Sequence, residues 1–252
     1  MPTRGAAIDL LPVFLLSLLT AIATGFGALP FLWVKRPGRR WLGYGNAVAA
    51  GLMLAASYQL VVEGVREAPV GLGWGILAGL VFIAGSRWWL NRFDDIHVGA
   101  LRGADARKSL LIVGVMTVHS AAEGIGMGVS FGGGAELGIF ISLAIAVHNI
   151  PEGLAISLVL VPRGVSAWRA AWWSVFSSLP QPLLAVPAYL FILTFRQYLS
   201  AGFGFAAGAM GWMVLSELIP EAHRETGSVW KPLLVGGAAA LALGVMQVVL
   251  RG

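Results

Sequence analysis

A histidine and a glutamate four positions apart occur twice in this chain, in His119-Ser120-Ala121-Ala122-Glu123-Gly124 and in His148-Asn149-Ile150-Pro151-Glu152-Gly153. On an α-helix that spacing puts both side chains on one face, one turn apart. Each pair lies in an apolar stretch, 110–131 and 138–161, with about the 20 residues needed to cross a bilayer. The link Gly132-Gly133-Gly134-Ala135-Glu136 is short and glycine-rich, so the two helices are expected to be antiparallel neighbours. Counted from Gly134, one pair is 11 to 15 residues back and the other 14 to 18 on. At about 1.5 Å per residue, both fall near mid-membrane at similar depth. Two imidazoles and two carboxylates converging there make a good ligand set for zinc, and an acceptable one for cadmium, iron or manganese. The two carboxylates balance a divalent charge in a low dielectric and repel each other without one. The plain alternative is a pair of buried His–Glu contacts that lock two helices together. It accounts for one copy better than for two at matched depth.

The rest of the chain must hold that cluster inside a bilayer. Of 252 residues, 58% are hydrophobic and 12% charged, with a mean hydropathy of +0.81. Soluble domains carry about 25% charged residues. The composition predicts an all-α integral membrane protein, one transmembrane domain over 1–252. Eight apolar segments can be drawn, at about 8–34, 42–66, 70–91, 109–131, 137–161, 167–194, 200–222 and 230–250. The first lacks a small-residue cleavage site behind it and reads as a retained helix. The net charge of +5 belongs to basic loops beside apolar spans, so nucleic acid is not an expected partner. There is no cysteine, which excludes disulfides and thiolate metal ligands.

Lysines and arginines set the orientation. Lys35, Arg36, Arg39, Arg40, Arg87, Arg92, Arg102, Arg107, Lys108, Arg163, Arg169, Arg224 and Lys231 fall on one side, and Arg4, Arg66, Arg196 and Arg251 on the other. The richer side is expected to be cytoplasmic, with both termini on the opposite, non-cytoplasmic side. A plasma (inner) membrane of bacterial type fits the lack of cysteine and of a targeting peptide. His97, in the loop of about 92–108, reads as a solvated loop histidine.

Other polar residues suggest a path. Glu63 belongs near the outer end of the second segment, as an entrance. Glu217, Glu221 and His223 close the seventh on the cytoplasmic side, as an exit. Gln181 sits between Pro180 and Pro182 on a broken backbone in the sixth segment and is placed to face the same cavity. Pro151 frees the carbonyl of Val147 beside His148. Gly124 and Gly153, each following its glutamate, allow a neighbouring backbone or a hydrated ion to come close. Ala49-Ala50-Gly51-Leu52-Met53 is echoed by Ala206-Ala207-Gly208-Ala209-Met210 in a segment running the other way, as an inverted repeat would leave.

These residues resemble the ZIP family of divalent metal transporters. His148-Asn149-Ile150-Pro151-Glu152-Gly153 matches that family's fifth-helix signature in full. The likeness extends over Ala23-Thr24-Gly25-Phe26-Gly27-Ala28-Leu29-Pro30 and 204–221 to nearly the whole chain. The resemblance implies eight helices in a 3+2+3 arrangement, uptake of zinc toward the cytosol by an elevator-like movement, and a homodimer. By motif position it implies a first metal site of His119, Glu123, His148 and Glu152. A second would comprise Ser120, Asn149 and Gln181 with the shared glutamates. Here Ser120 stands for a usual asparagine, Ala122 for a proline and Gln181 for a glutamate, while Ser216 takes a place where some relatives have histidine. One tightly bound ion is therefore expected, with the second site weak or absent. The two competing readings are an intramembrane metal-dependent hydrolase, for which no His-Glu-x-x-His motif occurs, and a metal sensor that does not transport. The chain is not expected to be an enzyme.

Overall fold

The computed structural model describes residues 10–34, 38–90 and 104–251; His97 and most of its loop lie outside them. Among the described residues the regular structure is entirely helical. Six helical stretches are long and apolar enough to cross a membrane.

The first helix, α1 (Leu10–Phe26), stops earlier than the expected 34. Gly27 follows it, and Leu29–Leu32 tightens into a 3-10 turn around Pro30. Helix α2 (Arg39–Glu67) ends where Ala68 turns extended, at φ −162° and ψ 99°. The cause is Pro69, which disfavours helix in the residue before it and serves as the first residue of α3 (Pro69–Leu90). Helix α4 (Ala104–Gly133) meets α5 (Ala135–Leu160) at Gly134, whose φ of +141° suits glycine.

The sixth expected segment is two helices, α6 (Ala167–Ser178) and α7 (Pro180–Thr194), divided at Leu179. Pro180 and Pro182 both lack the N–H needed to continue the ladder. The seventh is also interrupted. Helix α8 (Leu199–Met213) passes into a π-helical segment, Val214–Leu218, and then α9 (Ile219–Thr226). Pro220 removes a donor there, and the Ile219 N–H reaches back to the Val214 carbonyl. Helix α10 (Trp230–Arg251) closes the described chain.

The helices sort into two groups by what they pack on. In one, α1 packs on α5, α6 and α7, and α4 packs on α7 and α5. In the other, α3 packs on α8, and α2 packs on α8, α9 and α10. The groups meet where α2 crosses α5 and α4 crosses α8.

Glycines make the two kinds of contact differ. Within a group several bring backbones together: Gly153 lies against the Thr24 carbonyl, Gly128 against that of Ala185, Gly75 against that of Ala201 and Gly51 against that of Gly236, while Gly25, Gly64 and Gly138 meet side chains there. Between the groups the neighbours are side chains instead. A Cβ on Gly126 would lie 2.9 Å from that of Ala206, and one on Gly45 would lie 3.4 Å from that of Pro151.

One end of the bundle is marked chemically. Trp33, Trp41, Trp88, Trp89, Trp168 and Trp230 are all exposed near the α1 and α3 C-termini and the α2, α6 and α10 N-termini. Tryptophan gathers in this way at a membrane–water interface.

Gly153→Ala would push a methyl into the α1 backbone and is expected to cost about 1–3 kcal/mol, as overpacking does. Gly73, with open space around it, is the control. The thermal midpoint of the purified protein should fall for Gly153→Ala and stay unchanged for Gly73→Ala.

Candidate metal site

Glu123 and Glu152 each sit one turn after a histidine on neighbouring helices, α4 and α5. The residue after each glutamate fixes how closely the next helix approaches. A Cβ on Gly124 would come within 2.6 Å of the Gln181 carbonyl oxygen and 2.9 Å of that of Pro180. Gly153 meets the backbone of α1 in the same way. Only a missing side chain permits these approaches, and they press α7 and α1 against the two glutamate-bearing turns.

The sequence-derived set converges. His119, Glu123, His148 and Glu152 are buried, and each offers a ligand atom within 4.8 Å of the others. The two imidazoles stack, with centroids 5.7 Å apart and planes at 22°. His148 Nε2 lies 3.4 Å from Glu123 Oε1 and 3.9 Å from Glu152 Oε2, and His119 Nε2 lies 3.9 Å from Glu123 Oε1. These gaps exceed good hydrogen bonds. Both ring nitrogens of His148, Glu123 Oε1 and both Glu152 oxygens have no hydrogen-bond partner among the described residues. Buried polar atoms are ordinarily satisfied, so His148 Nε2, Glu123 Oε1 and the Glu152 oxygens, left open in one cluster, call for an occupant. A tetrahedral ion about 2.0–2.1 Å from its ligands spaces them roughly 3.3 Å apart. The His–Glu separations of 3.4 and 3.9 Å need a small contraction, and any pair near the 4.8 Å limit a larger one.

Beside this cluster runs a hydrogen-bonded net. Gln181 Nε2 donates to Glu123 Oε2 at 2.7 Å. Asn149 Nδ2 donates to Gln181 Oε1 at 3.1 Å and to the Thr20 carbonyl at 2.7 Å. The Thr20 hydroxyl is 2.7 Å from Gln181 Oε1, and Thr24 and Ser178 share a hydrogen bond of 2.8 Å. The net therefore joins α1, α4, α5 and α7. Ser120 is fully buried next to His119, and its hydroxyl has no hydrogen-bond partner among the described residues.

The pathway residues lie apart from the four. Glu63 is half-buried on α2, held by Gln59 at 2.9 Å and by Arg66 at 3.4 Å. Ser216 and Glu217 fall in the π-helical segment, and the charge of Glu217 reaches Glu152. Glu221 is half-buried on α9, and His223 is exposed.

Thr20 and Thr24 are the site residues that the sequence reading missed. With Ser17 they recur three and four positions apart on an otherwise apolar helix, a signal that one face of α1 is polar. The π-helical segment was also missed, although Pro220 marks it three residues after Glu217.

A helical bundle with spans of membrane-crossing length, closed around a buried His/Glu cluster that could hold a metal ion, defines an integral membrane protein. Residues 96–250 match the family described as ZIP Zinc transporter, and the chain belongs to that family. It is 33% identical over 239 residues to the zinc transporter GufA of Myxococcus xanthus, covering 85% of this chain and 92% of that one. It is 29% identical over 276 residues to the zinc transporter ZupT of Corynebacterium aurimucosum, covering 92% and 95%. A protein of Arabidopsis thaliana whose name marks it provisionally as a zinc transporter is 47% identical over 241 residues. That match takes in 93% of this chain and 38% of the plant protein. The family is one of transporters rather than enzymes, which sets the hydrolase reading aside.

Thr20→Val keeps the shape of the side chain but removes the hydroxyl facing Gln181. A loss of about 1 kcal/mol is expected, the usual worth of one buried hydrogen bond. Asn149→Ala, which cuts α5 from both α1 and α7, should lower the thermal midpoint further.

Proposed function

We propose that this chain carries divalent metal ions, zinc foremost, across the membrane into the cytoplasm, with His119, Glu123, His148 and Glu152 as the transport site. The observation that carries this reading is the convergence of two imidazoles and two carboxylates, all buried, around one point, with His148 Nε2, Glu123 Oε1 and the Glu152 oxygens lacking hydrogen-bond partners among the described residues. The names of the relatives agree with it. Cadmium, iron and manganese are accepted less well by this mixed set of nitrogen and oxygen ligands. Glu63 stands at the outer approach, and Ser216, Glu217 and Glu221 lie along the inner one.

The movement is elevator-like, one helix group sliding on the other. What supports it is that the closest backbone-to-backbone approaches at glycines all fall within groups, whereas glycines between the groups meet side chains first. Counting α6–α7 and α8–α9 as one span each gives eight spans over a single domain in a 3+2+3 order. The inverted repeat has its own support. Gly51 of α2 abuts Gly236 of α10, while Gly208 in the echoed motif of α8 abuts Ile76 of α3. Exchanging the first three spans for the last three turns one contact into the other. The tryptophan-rich, basic end faces the cytoplasm, both termini lie outside, the membrane is the plasma (inner) membrane, and the working unit is a homodimer.

Uptake of radiolabelled zinc into proteoliposomes tests the site. Flux by the wild type should saturate. His119→Ala and Glu152→Ala should each lose more than the roughly 10–100-fold that removing an outer-shell partner costs a metal site. Undiminished flux in both would overturn the site. Tight zinc binding with no flux in any variant would favour a sensor.

The movement is tested by a disulfide in a chain with no cysteine of its own. Gly126→Cys with Ala206→Cys places two sulfurs within bridging reach across the seam. Oxidation should stop zinc flux and reduction should restore it. Full flux in the oxidised, bridged protein would refute an elevator.

A further inference from the structure

Gln181 is fully buried at the start of α7, and both polar atoms of its amide are engaged. Its nitrogen donates to the Glu123 oxygen that faces away from the histidines, Oε2, at 2.7 Å. Its oxygen accepts from Asn149 and faces the Thr20 hydroxyl. A metal ligand needs a free lone pair: an amide nitrogen has none to give, and this amide oxygen is already committed to two neighbours.

We infer that Gln181 is a neutral stand-in for a second cation: its amide occupies the second oxygen of Glu123, and the site holds one ion at a time. This rests on the reading of the four residues as a transport site. Charge arithmetic points the same way. One divalent ion is balanced by Glu123 and Glu152. A second would sit beside them with no anion of its own, at a depth where an unpaired charge is costly. The remaining oxygens nearby, Ser120 Oγ and Asn149 Oδ1, are buried and lack hydrogen-bond partners among the described residues. Both are neutral, which suits a water held against the bound ion and leaves a second cation uncompensated. Gln181 is therefore a positioning residue. It turns Glu123 so that Oε1 is presented to the histidines, and it sets stoichiometry without touching the ion.

The test is metal content. The full-length protein in nanodiscs is saturated with zinc, washed and assayed for zinc per chain, and metal–metal scattering is sought by X-ray absorption. The wild type should hold one ion and show no metal–metal scattering. Gln181→Glu replaces the donor with a third carboxylate and should hold two ions, with metal–metal scattering appearing. Gln181→Asp, a shorter anion, gives the same reading should the first variant fold poorly. A purely structural glutamine would lose stability on substitution and gain no ion. Two ions in the wild type, or one in both folded acidic variants, would overturn the inference and leave the four-residue site standing. No ion in a well-folded wild type would instead remove the transport-site reading, and this inference with it.

Discussion

Glu123 and Glu152 are enclosed in the same small volume, 0% and 5% exposed, beside two imidazoles and the Gln181 amide. Carboxylates that close repel each other unless something positive stands between them, and in a low dielectric the repulsion is scarcely screened. Much of the architecture meets this demand. Gly124 and Gly153 let α7 and α1 press against the glutamate turns, and Gln181 takes up one of the four carboxylate oxygens. The three oxygens left over have no hydrogen-bond partners among the described residues. A group of helices packed around them is stable as a protein yet chemically unsaturated at its centre, and it is suited to a cargo that arrives and leaves.

The two halves of the site are alike in construction. On α4, Glu123-Gly124 abuts the start of α7; on α5, Glu152-Gly153 abuts α1. Each glutamate is followed by a residue with no side chain, and each missing side chain admits a neighbour's carbonyl. The likeness ends at the neighbours. Helix α1 brings threonines at 20 and 24, whereas α7 brings a glutamine whose amide reaches the carboxylate. Two similarly built glutamate turns therefore enclose an asymmetric interior, with hydroxyls on one side and an amide on the other.

Much of this was legible in the sequence. The spacing of His119 to Glu123 and of His148 to Glu152, with the glycine link between their helices, placed four side chains together, and the rings do stack. The break between α2 and α3 falls at Ala68, in the gap between the segments drawn at 42–66 and 70–91. Helix interruptions were harder to read. A proline pair at 180 and 182 leaves most of the apolar run intact, so hydropathy joins α6 to α7. The π-helical segment changes hydrogen bonding without changing composition. Thr20 was invisible because a lone hydroxyl on an apolar helix usually bonds its own backbone, and only the packing of α1 on α7 reveals its second neighbour, Gln181. The division of the helices into two groups needed the contacts themselves.

The glycines that join backbones and the side chains that line the seam have different evolutionary freedoms. A mutation at Gly153 or Gly51 strikes the scaffold of a group and endangers the fold. One at Ala206, Val129 or Phe203, where the groups meet, strikes buried side chains instead, and there a neighbouring side chain can readjust where a backbone cannot. The cost of a change at the contact between groups is therefore graded by volume, whereas at the glycines that join backbones within a group any side chain at all is too large.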